Sequence, residues 1–392
     1  MKFIIEQKVF HKALQKVNRA VSTKGTLPIL SGILLQASSD NSLKLTATDL
    51  EIGISHNLSA NVIKEGEMVL PAKELSNIIR ELPAEPIEVE INEENFSAKI
   101  ETSNSNFSLK CLDPEEFPSL PEVDEMISMN LAAAELKEMI DCVKFACSKK
   151  ESRPGLTGSL LTINPDKLIM VSTNTYRMAY KEKPNQTAIT EEYRAILPAK
   201  TLQELSRLLP EVIEKDGNSE EEEEKESNDS QPELEKGKVK IKMDASHCYF
   251  ILNDILITSR LIEGKFPNYN QVMPAEFNSE VIVDRKGLQQ AVKRVSLMAD
   301  VIKLDFVSDA DELILQSADS EIGHAKEKLA ISMEGESQNI NVDASYIQDV
   351  LKVLTEDEIK LKLIGPLNPM AVEKIETEDY TYLIMPIRPG SN

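Results

Sequence analysis

One phrase occurs three times in this chain, and the spacing of its copies constrains the fold more than any other feature. Residues 43–54 read LKLTATDLEIGI, 168–179 read LIMVSTNTYRMA and 313–324 read LILQSADSEIGH. Asp49, Asn174 and Asp319 fall in register, 125 and 145 residues apart. A second phrase keeps the period: PAKELSNIIRELP at 71–83, PAKTLQELSRLLP at 198–210, and a weaker DASYIQDVLKVLT at 343–355. LPILSGILLQ at 27–36 meets RPGLTGSLLT at 153–162, and EEFPSLP at 115–121 echoes GKFPNYN at 264–270. Self-similarity at a fixed period marks one structural unit used repeatedly.

The two intervals differ by 20 residues, and the longer one contains 214–237, EKDGNSEEEEEKESNDSQPELEKG. Eleven of its 24 residues are acidic and three are basic. Like charge and low hydrophobicity predict a solvated, disordered insertion. Without it the three units are nearly equal, giving domains at 1–126, 127–278 and 279–392. A chain of 392 residues is expected to hold two to four domains, which agrees.

Each unit repeats the same order of elements. A helix-like segment opens it: FHKALQKVNRAVS, AAAELKEMIDCVKFACS or RKGLQQAVKRVSLMA. Leu14, Val17 and Val21 lie on one helical face. Two strands follow, ending in the repeated phrase, where Leu43, Leu45 and Ala47 alternate as in a half-buried strand. A second helix follows, with Leu75, Ile78, Ile79 and Leu82 on one face, and then further strands such as PIEVEIN, KVKIKM and EIKLKLI. The expected class is α+β, with two helices packed on antiparallel sheets in every unit.

Net charge is −22, which argues against a surface that binds nucleic acid everywhere. The distribution is uneven. The six repeated helical segments sum to +6, so the rest of the chain carries −28. Lys12, Lys16 and Arg19 stand on the first helix, Lys200 and Arg207 on the fourth, Lys293 and Arg294 on the fifth. Helices that face a polyanion, with outer surfaces that face solvent, produce such a split. Lys and Arg contacts to phosphate carry no sequence information, so DNA binding is expected to be sequence-independent and salt-sensitive.

Signatures of chemistry are missing. The chain has no Walker loop, GxGxxG, GxSxG or HExxH. His11, His56, His247 and His324 are scattered, and Cys142 and Cys147 read as packing residues. Asp49/Glu51 and Asp319/Glu321 read as turn residues, because the middle copy has Asn174 and Tyr176 there. No cofactor and no metal are expected. Four cysteines without a paired framework, a start lacking an apolar leader core and the absence of a membrane-length apolar run predict a reduced cytoplasmic protein.

MKFIIEQ at 1–7, TLPIL at 26–30, LTATDLEI at 45–52, LIEGKFPNY at 261–269 and YLIMPIR at 382–388 resemble the bacterial DNA polymerase III beta subunits, the DNA sliding clamps. The resemblance runs from Met1 to Arg388 apart from the acidic insert. It implies a head-to-tail homodimer closed into a ring around double-stranded DNA, with helices lining the hole. It implies a non-catalytic processivity factor, opened by a clamp loader, that tethers the replicative polymerase alpha subunit and other proteins carrying a clamp-binding motif. Such a protein works in the bacterial cytoplasm, at the nucleoid during replication. The alternative is a protein-only scaffold that never encircles DNA.

Family positions carry over residue by residue. Lys24, Lys150 and Arg153 match loop positions near DNA. The partner-peptide pocket maps to Leu156, Thr173, Thr175, Tyr176, Arg177 and Met178 from the middle repeat. Pro267 and Val272 follow on the linker. Ser345, Leu383, Met385, Pro386, Ile387 and Arg388 come from the third repeat. Thr175 and Tyr176 replace small and His residues of the common pattern. The middle copy thus loses both acids of its neighbours and gains an aromatic, a guanidinium and a thioether, residue types suited to an adaptable binding pocket.

Overall fold

In the computed structural model the described residues are 1–22, 27–122, 126–150, 152–187, 189–217, 236–317 and 323–388. Most of the acidic insert, Lys24 and Asp319 lie outside them. The helices are α1 (Gln7–Val17), α2 (Ala72–Glu81), α3 (Ala133–Val143), α4 (Ala199–Gly217), α5 (Arg285–Val295) and α6 (Ala344–Val353). In α1 the buried residues include Phe10, Ala13, Leu14 and Val17, so Leu14 and Val17 share one face as the sequence reading has it, whereas Val21 lies past the helix, in extended backbone after the turn Asn18–Ala20. Asp284 and Asp343 cap α5 and α6 by accepting from the backbone N–H groups of Gly287 and Ser345.

Two details depart from the sequence reading. Each unit opens on a short strand, Lys2–Glu6, Ile127–Ala132 or Ser279–Asp284, before its first helix. The proposed boundaries at 126/127 and 278/279 fall just before two of these strands. The second departure concerns α4, which continues through Pro210 to Gly217 and takes in the first four residues assigned to the insert. Proline removes one helical donor. Burial of Val212, at 3% exposure, gives the following turn an apolar anchor.

The chain forms two compact units, Met1–Glu135 with Glu204–Leu261, and Leu136–Gln203 with Ile262–Asn392. In the first, a five-stranded sheet has Asn61–Lys64 and Asn106–Lys110 as its edges. Its eight-stranded sheet crosses a repeat boundary: Ile52–Ser59 of repeat one pairs antiparallel with Ile255–Arg260 of repeat two. In the second unit a nine-stranded sheet does the same, with Arg177–Pro184 of repeat two paired to Tyr380–Ile384 of repeat three. Its four-stranded sheet ends on the edge strand Lys326–Ala330. Strand pairing between repeats explains why three sequence copies give two contact units. Among the described residues no helix is long and apolar enough to cross a membrane.

Candidate partner-peptide site

The repeated phrase folds into the same hairpin turn in copies one and two. Asp49 Oδ1 accepts the N–H groups of Glu51 (2.9 Å) and Ile52 (2.8 Å). Asn174 Oδ1 accepts those of Tyr176 and Arg177, both at 3.0 Å. Thr48 and Thr173 each donate a hydroxyl to the carbonyl four residues on and accept the N–H two residues on. Leu50 (φ 74°) and Thr175 (φ 78°) both take the left-handed conformation. The Asp-to-Asn exchange therefore leaves the turn intact, since one side-chain oxygen suffices for the work of both.

What differs is the surface built on that turn. Met178 pairs across the strands with Leu383. Both are buried in one cluster with Leu160, Ile169, Val171, Tyr180, Ile196 and Ala371. Phe266, Tyr269 and Met273 of the following linker pack against it, and the Tyr180 and Tyr269 rings lie 5.8 Å apart. The result is an apolar floor spanning the junction of repeats two and three. Tyr176 (58% exposed), Val272 (44% exposed) and Pro267 stand at the surface. The Met385 N–H donates to the Tyr176 carbonyl at 2.9 Å and the Ile387 N–H to that of Asn341 at 2.8 Å, which fixes the path of the chain through Pro386 to the exposed Arg388. Leu156 and Thr173 are buried, and Ser345 is exposed at the start of α6, held by Asp343.

Arg177 points inward. Its guanidinium donates to Asp349 Oδ2 at 2.7 Å and to the Phe145 carbonyl, and lies 4.6 Å from the Tyr346 ring centroid and 5.5 Å from that of Phe145. Burial works against its charge, but Tyr382 and Asp349 outweigh that and hold its pKa above the ordinary arginine value. Its cage ties repeat two to α6. Four residues along the strand, Lys181 is fully buried, with its ammonium 2.8 Å from Glu138 and 2.5 Å from Asp379. Lys183 (2.9 Å) and Lys374 (3.3 Å) also reach Glu138. Burial opposes the Glu138 charge, yet these ammonium groups, Lys181 and Lys183 foremost, bring its pKa down to about 2. Sequence reasoning found neither the Arg177 cage nor the Lys181 pair. The available signal was a charged residue at inward positions of an alternating strand.

The junction of repeats one and two offers the counterpart. There Gly53 stands where Met178 stands, Ser55 where Tyr180 does, Lys44 for Ile169, Thr46 for Val171 and Thr258 for Leu383. Thr46 and Ser55 form a hydroxyl pair at 2.7 Å. A Cβ on Gly53 would meet Leu120 Cδ2 and Thr258 Oγ1, both at 2.5 Å, so the linker's Leu120 occupies the space of a methionine. What remains is a cavity of about 550 Å³ with Lys44, Glu67, Thr46 and Tyr249 among its lining, a mixed surface in place of an apolar floor.

Several of the cations assigned to DNA are paired with acids. Lys16 meets Glu211 at 2.5 Å, and Arg19 (3.0 Å) and Arg207 (2.8 Å) share Glu204. Arg294 makes a two-pronged contact with Glu327, at 2.5 and 2.6 Å. Lys12, Lys150, Arg153, Lys200 and Lys293 have exposed side chains. Among the described residues no group of His, Cys, Asp and Glu is arranged to hold a metal. All four cysteines are free and buried, and burial pushes the thiols of Cys111 and Cys142 up to about 12 and about 11.

Comparison with known proteins gives concordant matches. Residues 1–121, 130–215 and 270–388 match the models for the N-terminal, central and C-terminal domains of the DNA polymerase III beta subunit. The beta sliding clamps of Synechocystis sp. and Bacillus subtilis are each 30% identical to the chain, which covers 99% and 100% of their lengths over 99% of its own. Among solved structures, the Bacillus subtilis sliding clamp superposes with a TM-score of 0.87 at 29% identity, covering 99% of both chains. A clamp from Bartonella birtlesii bound to griselimycin gives 0.88 at 28%, again over 99% of both.

Proposed function

Since this chain belongs to the DNA polymerase III beta subunit family, the sliding clamps, we propose how its own residues carry out the work of a clamp. The chain is a DNA sliding clamp, a non-catalytic processivity factor of replication built from three clamp domains. Family membership favours this over a protein-only scaffold. The three domains span 1–126, 127–278 and 279–392, and the protein works in the bacterial cytoplasm, at the nucleoid during replication.

The Met178–Leu383 cluster carries the peptide-site reading. An apolar floor across a repeat junction, rimmed by Tyr176, Val272 and Met385, suits the leucine or aromatic anchor of a short segment from the polymerase alpha subunit, the clamp loader or another partner with a clamp-binding motif. Arg177 supports the site from beneath, consistent with its 7% exposure. A labelled C-terminal polymerase peptide is expected to bind at roughly micromolar strength, about −8 kcal/mol. Combining Met178→Ala with Met385→Ala should weaken it by about 2 kcal/mol in fluorescence anisotropy. Binding equal to wild type would remove the site from this junction.

Ring closure follows from the same repeat logic. Inside the chain, the strand after each repeated turn pairs with the last strand of the next repeat. The corresponding strands left over are Lys326–Ala330 of repeat three and Asn106–Lys110 of repeat one, both sheet edges. Phe107, 40% exposed, occupies the position of the buried Ile257 and Tyr382 at the internal junctions. Pairing of one protomer's Lys326–Ala330 with its partner's Asn106–Lys110, twice over, closes a head-to-tail homodimer with the helices toward DNA. Sedimentation should give a dimer for wild type and a monomer for Phe107→Asp. A Phe107→Asp protein that remains dimeric would place the closure elsewhere.

A further inference from the structure

We propose that Glu204 and Glu211 set how weakly the clamp grips DNA, by competing with phosphate for the cations that face the duplex. This rests on the reading that the helices line the hole. Lys16, Arg19 and Arg207 belong to the positive charge that the acidic chain concentrates on its helices, yet each has a carboxylate within 3.0 Å. A carboxylate offers the charge and the acceptor oxygens that a phosphate offers, so DNA must displace it before the cation contributes. The two acids differ in stiffness. The Glu204 side chain is 7% exposed and holds two guanidinium groups, whereas that of Glu211 is 46% exposed and holds one ammonium.

The helix does not require an acid at this place. In the aligned phrase of repeat one, Asn77 occupies the Glu204 position. In repeat three Asp349 occupies it and bonds Arg177 beneath the peptide site. Position 204 can therefore be an amide without loss of the helix, and its carboxylate is free to serve grip. Cations neutralised in place leave a shallow, sequence-independent potential over which a ring slides.

The test uses the full-length chain carrying Glu211→Gln, Glu204→Gln or both, a short labelled duplex DNA, and anisotropy across a salt series. Each freed cation should steepen the slope of log K against log salt by about 0.9. Glu211→Gln is therefore expected to shift it by one such step, and the double variant by up to three. Clamps loaded on long DNA should diffuse more slowly in the same order. If Glu204→Gln also lowers the melting temperature, the exposed Glu211→Gln decides. Slopes unchanged in the variants, while Lys12→Ala flattens the wild-type slope, would overturn this proposal alone. If Lys12→Ala has no effect either, the reading of the helices as DNA-facing falls with it.

Discussion

The junctions of repeats one/two and two/three share a backbone plan and part company in their side chains. Both start from a left-handed turn residue held by a Thr and an Asx oxygen. Both join repeats by an antiparallel strand pair, and in both the N–H of residue 57 or 182 donates to the carbonyl of Asp254 or Asp379 at 2.9 Å. On this common frame, Gly53, Ser55, Thr46 and Thr258 make one face small and polar, while Met178, Tyr180, Val171 and Leu383 make the other large and apolar. Beneath, Lys181 bridges to Asp379 where the first junction has His56. A repeated fold thus supplies the same scaffold twice, and a handful of substitutions decides which copy carries an apolar floor.

The largest expected effect breaks the charged tie under the second junction. Asp379→Ala removes one of two carboxylates from a fully buried ammonium and should cost about 3 kcal/mol of unfolding free energy in urea melts. The same network predicts an acid sensitivity. Glu138 has a folded pKa of about 2, below its ordinary 4.5, so its contribution is complete above pH 4.5 and is lost as pH falls from there toward 2. Urea midpoints measured over that window should fall with acidity, and Glu138→Gln should flatten the decline.

A middle-sized effect tests whether the two faces are interchangeable. Gly53→Met places the residue of the second junction in the first, where Leu120 and Thr258 already stand 2.5 Å from its Cβ. Overpacking should lower stability by about 2 kcal/mol without creating peptide affinity, because Lys44 and the Thr46–Ser55 pair remain in the floor. Peptide binding at wild-type strength to a Gly53→Met, Met178→Ala protein would mean that a single side chain makes the site.

The smallest effect concerns what the junctions share. Leu50→Gly and Thr175→Gly each relieve a left-handed non-glycine backbone and should raise stability by about 0.5 kcal/mol after the entropic cost of glycine. Equal shifts in thermal melts would confirm that the turns are equivalent. Unequal shifts would show that Thr175 is strained by the site beside it.

Some of this was legible in the residues alone. The period of the phrases implied three units, the apolar spacing of Leu14 and Val17 implied a helix, although Val21, read onto the same face, lies beyond it, and the departure of residues 174–178 from their counterparts set the middle copy apart. Resemblance to the clamps assigns Met178 and Leu383 to one pocket, and the strand pairing makes them neighbours. The orientation of Arg177 was not legible. A guanidinium beside an exposed tyrosine reads as a surface group, and only the strand pleat and α6 turn it inward onto Asp349. Nor was the pairing of Lys16 with Glu211 or of Arg19 with Glu204, because these partners lie far away in sequence; the Glu204–Arg207 pair, three residues apart on α4, was the legible one.

The sequence by itself determined local matters and counts: which segments are helices, how often the unit recurs and where charge accumulates. These follow from periodicity and composition, which act over a few residues or over the whole chain. Tertiary structure decided everything that depends on distance between remote residues. It set the strand pairs that join repeats into two compact units, the burial of Lys181 between Glu138 and Asp379, and the filling of one junction by Leu120 while the other keeps its apolar floor. Contacts between residues far apart in the chain leave no local pattern, since the entropic cost of closing a long loop rises only slowly with its length and so favours no particular distant partner.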